Sequence, residues 1–167
     1  NVGVREYARI VDMLAGLAGA DTWILPSVGP DYGKMMDQAA ILRSRPFPTA
    51  MLLPMAFPYT DDGLAGGVRR FTDALGKPVV VYIKSADYLA PETAARLIEE
   101  GRLVAFKYAV VRDDPAKDAY LSAMLDAVDA RSIGALFMLL QVATVYAGGL
   151  YGVDPLDQPG VGLGKQL

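Results

Sequence analysis

The feature that most limits what this chain can fold into is an alternation of helix-like and strand-like segments along residues 4–128. Apolar spacing and end signals predict helices at residues 4–17, 31–43, 61–75, 91–100 and 115–128. Short apolar runs predict strands at residues 22–25, 48–53, 79–83 and 103–107. Strands separated by helices indicate a parallel sheet with right-handed crossovers. The predicted fold class is therefore α/β, built of parallel β/α units.

The pattern changes after Asp129, where an uncharged, mostly apolar stretch runs through residues 132–153. It is long enough to span a bilayer. Because it contains Gln141, Thr144 and several glycines, we interpret it instead as a long apolar C-terminal helix in a globular core, and we expect no membrane partner. The predicted organisation is a β/α region at residues 1–131 and a helix and tail at residues 132–167, packed as one domain.

Composition excludes several kinds of chemistry. The chain contains no histidine and no cysteine, which removes Ser-His-Asp and Cys-His nucleophile systems and metal sites built on those ligands. Acid–base chemistry must therefore use Lys, Tyr, Asp or Glu. The net charge is -3 and the basic residues are scattered, so we expect no nucleic-acid partner. We also expect no metal, no cofactor and a cytoplasmic location.

A lysine ends the strand predicted at residues 103–107. The period of two places Leu103, Ala105 and Lys107 on one face of this strand. The carboxyl end of a parallel strand is where ligands bind, and a lysine that loses hydration there is available as a neutral amine to attack a carbonyl. Tyr82 lies near the end of the preceding strand, so its phenol is expected beside this amine. In the alternative interpretation, Lys107 reaches solvent and Tyr82 is a core aromatic.

Several segments resemble, in order, the dihydrodipicolinate synthase and N-acetylneuraminate lyase family. They are residues 24–30 (ILPSVGP), 53–64, 79–82 (VVVY), 89–92 (LAPE) and 104–107 (VAFK). The resemblance covers about residues 7–131 and implies half of a TIM barrel. It also implies a class I lyase, in which Lys107 forms a Schiff base with pyruvate or a related 2-oxo acid and Tyr82 relays protons.

The chain departs from this family at the contacts for the substrate carboxylate. Many members have an arginine where this sequence has Asp87. Lys84 is the candidate substitute. The family's hydroxyl pair that grips the carboxylate lies on a strand upstream of this sequence. Half a barrel has two open edges, so we expect a homo-oligomer that completes the barrel. The alternative architecture is a flat doubly wound sheet.

Gly29 is a further candidate binding residue, because it lies in a turn between a predicted strand and a helix. Backbone N–H groups in such a turn can hold an anion. The alternative is a tight turn that needs glycine for its conformational freedom.

A second resemblance concerns the C-terminal segment. Residues 148–165 (GGLYGVDPLDQPGVGLGK) resemble the closing motif of glucose-6-phosphate isomerase, and the apolar stretch from residue 134 resembles what precedes it there. The resemblance implies that Lys165 contacts the sugar. Gly162 stands where that family has a glutamate, and the lack of histidine counts against complete isomerase catalysis. Two resemblances that meet near residue 132 suggest a chimera, either designed or recombined.

Three functional hypotheses follow from the sequence. The first is a Schiff-base lyase that acts on a small 2-oxo acid through Lys107. The second is a non-catalytic or engineered chimeric scaffold that retains family motifs without a whole active site. The third is a sugar-phosphate isomerase that depends on Lys165.

Overall fold

The computed structural model of the protein describes residues 3–19, 22, 24–55, 59–114 and 117–127, and residues 1–128 group into one packed unit. The predicted apolar helix, the domain boundary at residue 131 and Lys165 all lie outside the described residues.

The observed elements alternate as the sequence predicts. The helices are α1 (Val4–Leu17), α2 (Tyr32–Arg43), α3 (Asp61–Leu75), α4 (Pro91–Glu99) and α5 (Ala119–Ala127). The strands are β1 (Ser27–Val28), β2 (Met51–Leu52), β3 (Val79–Ile83) and β4 (Leu103–Tyr108). The strands form one sheet in the order β1-β2-β3-β4, and every neighbouring pair is parallel. The α/β class and the parallel β/α units are therefore confirmed.

Local sequence signals set most helix ends. The Asp31 side chain accepts a hydrogen bond from the Lys34 N–H at the start of α2, and Thr60 does the same for the Gly63 N–H in α3. Gly76 ends α3 in the left-handed conformation at φ +74°, which glycine adopts without steric cost. These caps explain why the predicted and observed helix bounds agree closely.

The start of α4 depends on a residue from another helix. Its N-cap, Ala90, has no capping side chain of its own. Asp61 of α3 supplies one, because its Oδ1 accepts the Ala90 N–H at 2.8 Å and its Oδ2 accepts the hydroxyl of buried Thr93. Asp61 thus joins two helix starts at the carboxyl side of the sheet.

The first strand is displaced from its predicted position. The apolar run at residues 22–25 is not a strand in its described part, and β1 lies instead at Ser27–Val28, within the predicted turn. The ladder explains the shift, because the Met51 N–H donates to the Pro26 carbonyl and the Leu53 N–H to the Val28 carbonyl, both at 2.9 Å. Pairing with β2, rather than local hydrophobicity, sets the position of β1.

The face assignment predicted for β4 is also corrected. Leu103 pairs with Val79, whereas Ala105 pairs with Val80, so the register shifts by one residue between these pairs. Since Val79 and Val80 point to opposite faces of β3, Leu103 and Ala105 point to opposite faces of β4. Leu103 is buried and Val104, at the shift, is 57% exposed. Only Ala105 and Lys107 share the predicted face.

The core lies on one face of the sheet, which we call the helix-side face. Its buried strand residues are Val28, Leu52, Val79, Val81, Ile83 and Leu103. They form one cluster with buried residues of the helices, which include Ala39, Leu42, Leu64, Val68, Phe71 and Leu97. We call the other face the open face. Its residues Ser27, Met51, Tyr82, Ala105 and Lys107 are partly or fully exposed, and its residue Val80 is buried.

Within the described part of the chain, no helix has the length and apolar character needed to cross a membrane.

Candidate functional site

The structure brings Tyr82 and Lys107 together at the carboxyl end of the sheet. They are direct partners in the parallel register of β3 and β4, so both side chains project from the open face. The Lys107 Nζ lies 4.3 Å from the centroid of the Tyr82 ring. This is the distance of a cation–π contact. An amine and a phenol ring therefore lie side by side at the carboxyl ends of β3 and β4.

The environment of this pair differs from the predicted one. Lys107 is exposed and Tyr82 is partly buried, so the expected loss of hydration at the amine is not met. The amine also lies over the face of the ring. The pair therefore places an amine next to a phenol in a solvated setting.

The other candidate binding residues are not gathered around this pair. Lys84 is exposed in the loop after β3, and it makes no hydrogen bond or ion pair with the described residues. Gly29 is buried at φ +99°, and its N–H donates to Oε1 of buried Gln38 at 2.8 Å. Because that N–H already has a partner, the geometry favours the tight-turn interpretation of Gly29.

A polar cluster behind β4 was not predicted from the sequence. Asp118, which is 5% exposed, accepts the Tyr108 hydroxyl at 2.6 Å, the Arg112 guanidinium at 3.1 Å and the Leu121 N–H at 3.0 Å. The hydrogen bond from Tyr108, followed by that from Arg112, lowers the pKa of Asp118 to about 2. Burial, and then Asp118, raises the pKa of Tyr108 to about 12. This cluster fixes the chain that directly follows Lys107.

Two further tyrosines hold the loops at the same end of the sheet. The Tyr88 hydroxyl accepts the Met55 N–H at 3.0 Å, and its ring meets the Tyr59 ring edge-on at 5.0 Å. The Tyr120 hydroxyl donates to the Leu89 carbonyl at 2.7 Å. Burial raises the pKa of both Tyr88 and Tyr120. The loop after Tyr82 is thus fixed on two sides.

Among the described residues, no group of three or more acidic side chains is placed to hold a metal ion. Asp61 serves the α4 cap, and Asp114 forms an ion pair with Lys117 at 3.0 Å.

Comparisons with known proteins give a structural match over most of this chain and a short sequence match. The structure is similar to dihydrodipicolinate synthase from Oceanobacillus iheyensis, with a TM-score of 0.64 and 20% identity, over 78% of this chain and 42% of that one. A 43-residue stretch is 49% identical to glucose-6-phosphate isomerase of Rubrobacter xylanophilus, which is 26% of this chain and 10% of that protein. No protein-family model matches the chain.

The chain therefore spans less than half of the synthase and a small part of the isomerase. At this identity the synthase match shows fold alone. The described β/α units share the α/β fold of part of a dihydrodipicolinate synthase.

Proposed function

We propose that this chain contains the imine-forming part of a class I lyase site, in which Lys107 is the nucleophile toward pyruvate or a related 2-oxo acid and Tyr82 relays protons. The observation that supports this is the pairing of the two side chains at the carboxyl ends of adjacent parallel strands, with 4.3 Å between the Lys107 Nζ and the Tyr82 ring centroid. The fold likeness to dihydrodipicolinate synthase is consistent with it.

In the proposed chemistry, the neutral amine of Lys107 attacks the ketone carbon of the 2-oxo acid, forming a C–N bond while the carbonyl oxygen becomes a hydroxyl. Loss of that hydroxyl as water leaves the imine. Each step moves a proton on or off oxygen or nitrogen, and the Tyr82 phenol is the nearby group for this transfer. Entry of the substrate must displace the amine from the ring face and from water, since only the neutral amine attacks the carbonyl.

The substrate carboxylate needs a cation, and Lys84 is our candidate. It follows Ile83 at the end of β3, so it is two residues from Tyr82 in the chain. Gly29 contributes only the shape of its turn, because its N–H is bonded to Gln38.

We further propose that the protein is a homo-oligomer. Among the described strands, β4 pairs on one side only, with β3, and the apolar side chains of Val104 and Val111 near that edge are 57% and 92% exposed. A strand edge with exposed apolar groups beside it favours association. Sedimentation equilibrium tests this: an oligomer is expected, and a monomer at all concentrations would exclude it.

The lyase proposal is tested by trapping. The protein is incubated with pyruvate and a hydride reductant, and the intact mass is measured for the wild type, Lys107→Gln and a control, Lys117→Gln, whose side chain is 83% exposed. A reduced adduct is expected in the wild type and the control and is expected to be lost in Lys107→Gln. Absence of adduct at millimolar pyruvate supports the non-catalytic or chimeric scaffold instead. An adduct that persists in Lys107→Gln excludes Lys107.

Sugar-phosphate isomerisation is a second candidate, favoured by the 49% identity over 43 residues to a glucose-6-phosphate isomerase. Its test is a coupled assay with fructose 6-phosphate on the wild type and on Lys165→Gln. Turnover that depends on Lys165 supports it, and absence of turnover excludes it.

A further inference from the structure

A cleft of about 490 Å³ lies between the start of α2 and one side of α3, apart from the Tyr82–Lys107 pair. The described residues that line it are Tyr32, Met55, Tyr59, Thr60, Gly63, Gly67 and Arg70. Tyr32 follows β1 and Met55 follows β2, so the cleft is at the carboxyl side of the first two strands. Its volume is within the range of small-molecule sites.

One side of the cleft is formed by α3. Gly63 and Gly67 are four residues apart on α3 and so lie on the same side of the helix. Gly67 is buried against the Tyr32 ring, which lies 3.8 Å from the position that a Cβ there would occupy, whereas Gly63 is exposed. Tyr32 and Tyr59 supply two aromatic rings to the lining. An aromatic ligand ring can stack on such rings.

One end of the cleft has an available cation. Arg70 is three residues beyond Gly67 on the same side of α3, and it is exposed. Its neighbour Arg69 forms a two-pronged ion pair with Glu100, whereas Arg70 has no hydrogen bond or ion pair within the part of the chain that the structure describes. None of the described lining residues is acidic. A planar guanidinium with free donors matches a carboxylate.

We propose that this cleft binds a planar aromatic carboxylate, with the ring against Tyr32 and Tyr59 beside Gly63 and the carboxylate on Arg70. The hydroxyls of Tyr32 and Tyr59 have no hydrogen-bond partner among the described residues, so they are available to polar groups on the ring. This site shares no residue with the Tyr82–Lys107 pair, and the inference does not depend on the lyase proposal.

The charge requirement is tested by calorimetric titration of the full chain with 1-naphthoate and with the uncharged 1-naphthylmethanol. Naphthoate is expected to bind, and the alcohol is expected to bind about tenfold more weakly or worse, because it lacks the charge-assisted pair with Arg70. Arg70→Gln is expected to weaken naphthoate to a similar degree. Arg9→Gln, an exposed arginine of α1 outside the cleft, is the matched control and is expected to leave binding unchanged.

The shape requirement is tested with two adjacent glycines of α3. Gly67→Leu places a side chain in the cleft and is expected to abolish binding. Gly66→Leu, at a position with no atom within 4 Å of an added Cβ and outside the lining, is expected to retain it. Circular dichroism checks that both variants fold; if Gly67→Leu does not, Arg70→Gln still decides.

Three outcomes overturn the proposal. They are no binding of naphthoate to the wild type at millimolar concentration, equal binding by Arg70→Gln and the wild type, and loss of binding in Lys107→Gln, which would place the ligand at the other site.

Discussion

Lys107 and Tyr108 are neighbours in β4, yet they belong to two different regions of the molecule. Lys107 projects from the open face and is exposed, with its Nζ over the Tyr82 ring. Tyr108 projects to the helix-side face and is held by Asp118 at 2.6 Å. The period of two in a strand allows one residue to stabilise the fold while the next remains free to meet a ligand. Stability and candidate chemistry therefore lie on opposite faces of this sheet.

The largest expected effect on stability is on the helix-side face, at the end of β3. Ile83→Ala removes a fully buried side chain, and we expect a loss of about 2–5 kcal/mol in the free energy of unfolding, because the space left behind cannot fully close. Met51→Ala on the open face is the control, with an expected loss of about 1 kcal/mol or less since Met51 is only partly buried. Urea denaturation measures both; comparable losses would remove the distinction between the faces.

The next largest effect on stability is expected from loss of the cap that Asp61 provides to α4. Asp61→Ala leaves the Ala90 N–H and the Thr93 hydroxyl without their acceptor, which we expect to cost about 1–3 kcal/mol. Asp62→Ala, the adjacent exposed carboxylate, is expected to change stability by about 0.5 kcal/mol or less. Equal losses in urea denaturation for the two variants would show that only helix-dipole charge matters at this position.

A smaller effect on stability, limited to acidic pH, is expected from protonation of Asp118. Its pKa is lowered from 3.8 to about 2 in the folded protein, so its contribution to stability is complete above about pH 4 and is lost as the pH falls toward 2. Asp118→Asn is expected to lack this part of the acid dependence in urea titrations between pH 2 and 5. Asp126→Asn, at an exposed position of α5, is the control and is expected to keep the wild-type profile. An unchanged profile in Asp118→Asn would contradict the assignment.

The smallest effect on stability is expected at Tyr82. Tyr82→Phe keeps the ring beneath Lys107 and removes only a hydroxyl on the open face, so the change should be about 0.5 kcal/mol or less. If the phenol relays protons, the same variant should slow imine trapping by about a hundredfold. Tyr82→Leu removes ring and hydroxyl together and shows what the ring contributes. Trapping rates that are equal in Tyr82→Phe and the wild type would exclude the relay.

Much of the fold could be predicted from the sequence because its signals are local. The helical spacing of Val4–Leu17, the Asp31 and Thr60 caps and Gly76 each act within a few residues. The position of β1 and the register shift opposite Val79 could not be predicted in this way. They depend on which strand lies alongside, and that information is not present in either strand alone.

The candidate site was predictable to a similar extent. Strand order brings Tyr82 and Lys107 together, as their positions at two successive strand ends indicate. Exposure of Lys107 was not predictable from an apolar strand, because burial depends on what covers the open face. The cluster around Asp118 was missed because Tyr108 lies on β4 and Asp118 lies just before α5. No sequence spacing predicts that two such residues come into contact. The cleft that contains Arg70 was missed because glycines within a predicted helix do not indicate a cavity.

The most direct test of the central claim is site-resolved labelling of the lysines. The wild-type protein is treated with limiting pyruvate and a hydride reductant and then digested, and the adduct at each lysine is measured by mass spectrometry. If the open face supports imine chemistry, Lys107 should be labelled in clear excess over the exposed Lys84 and Lys117. Equal labelling of all three would mean that Lys107 reacts only as a solvated surface amine, and the lyase account would be wrong.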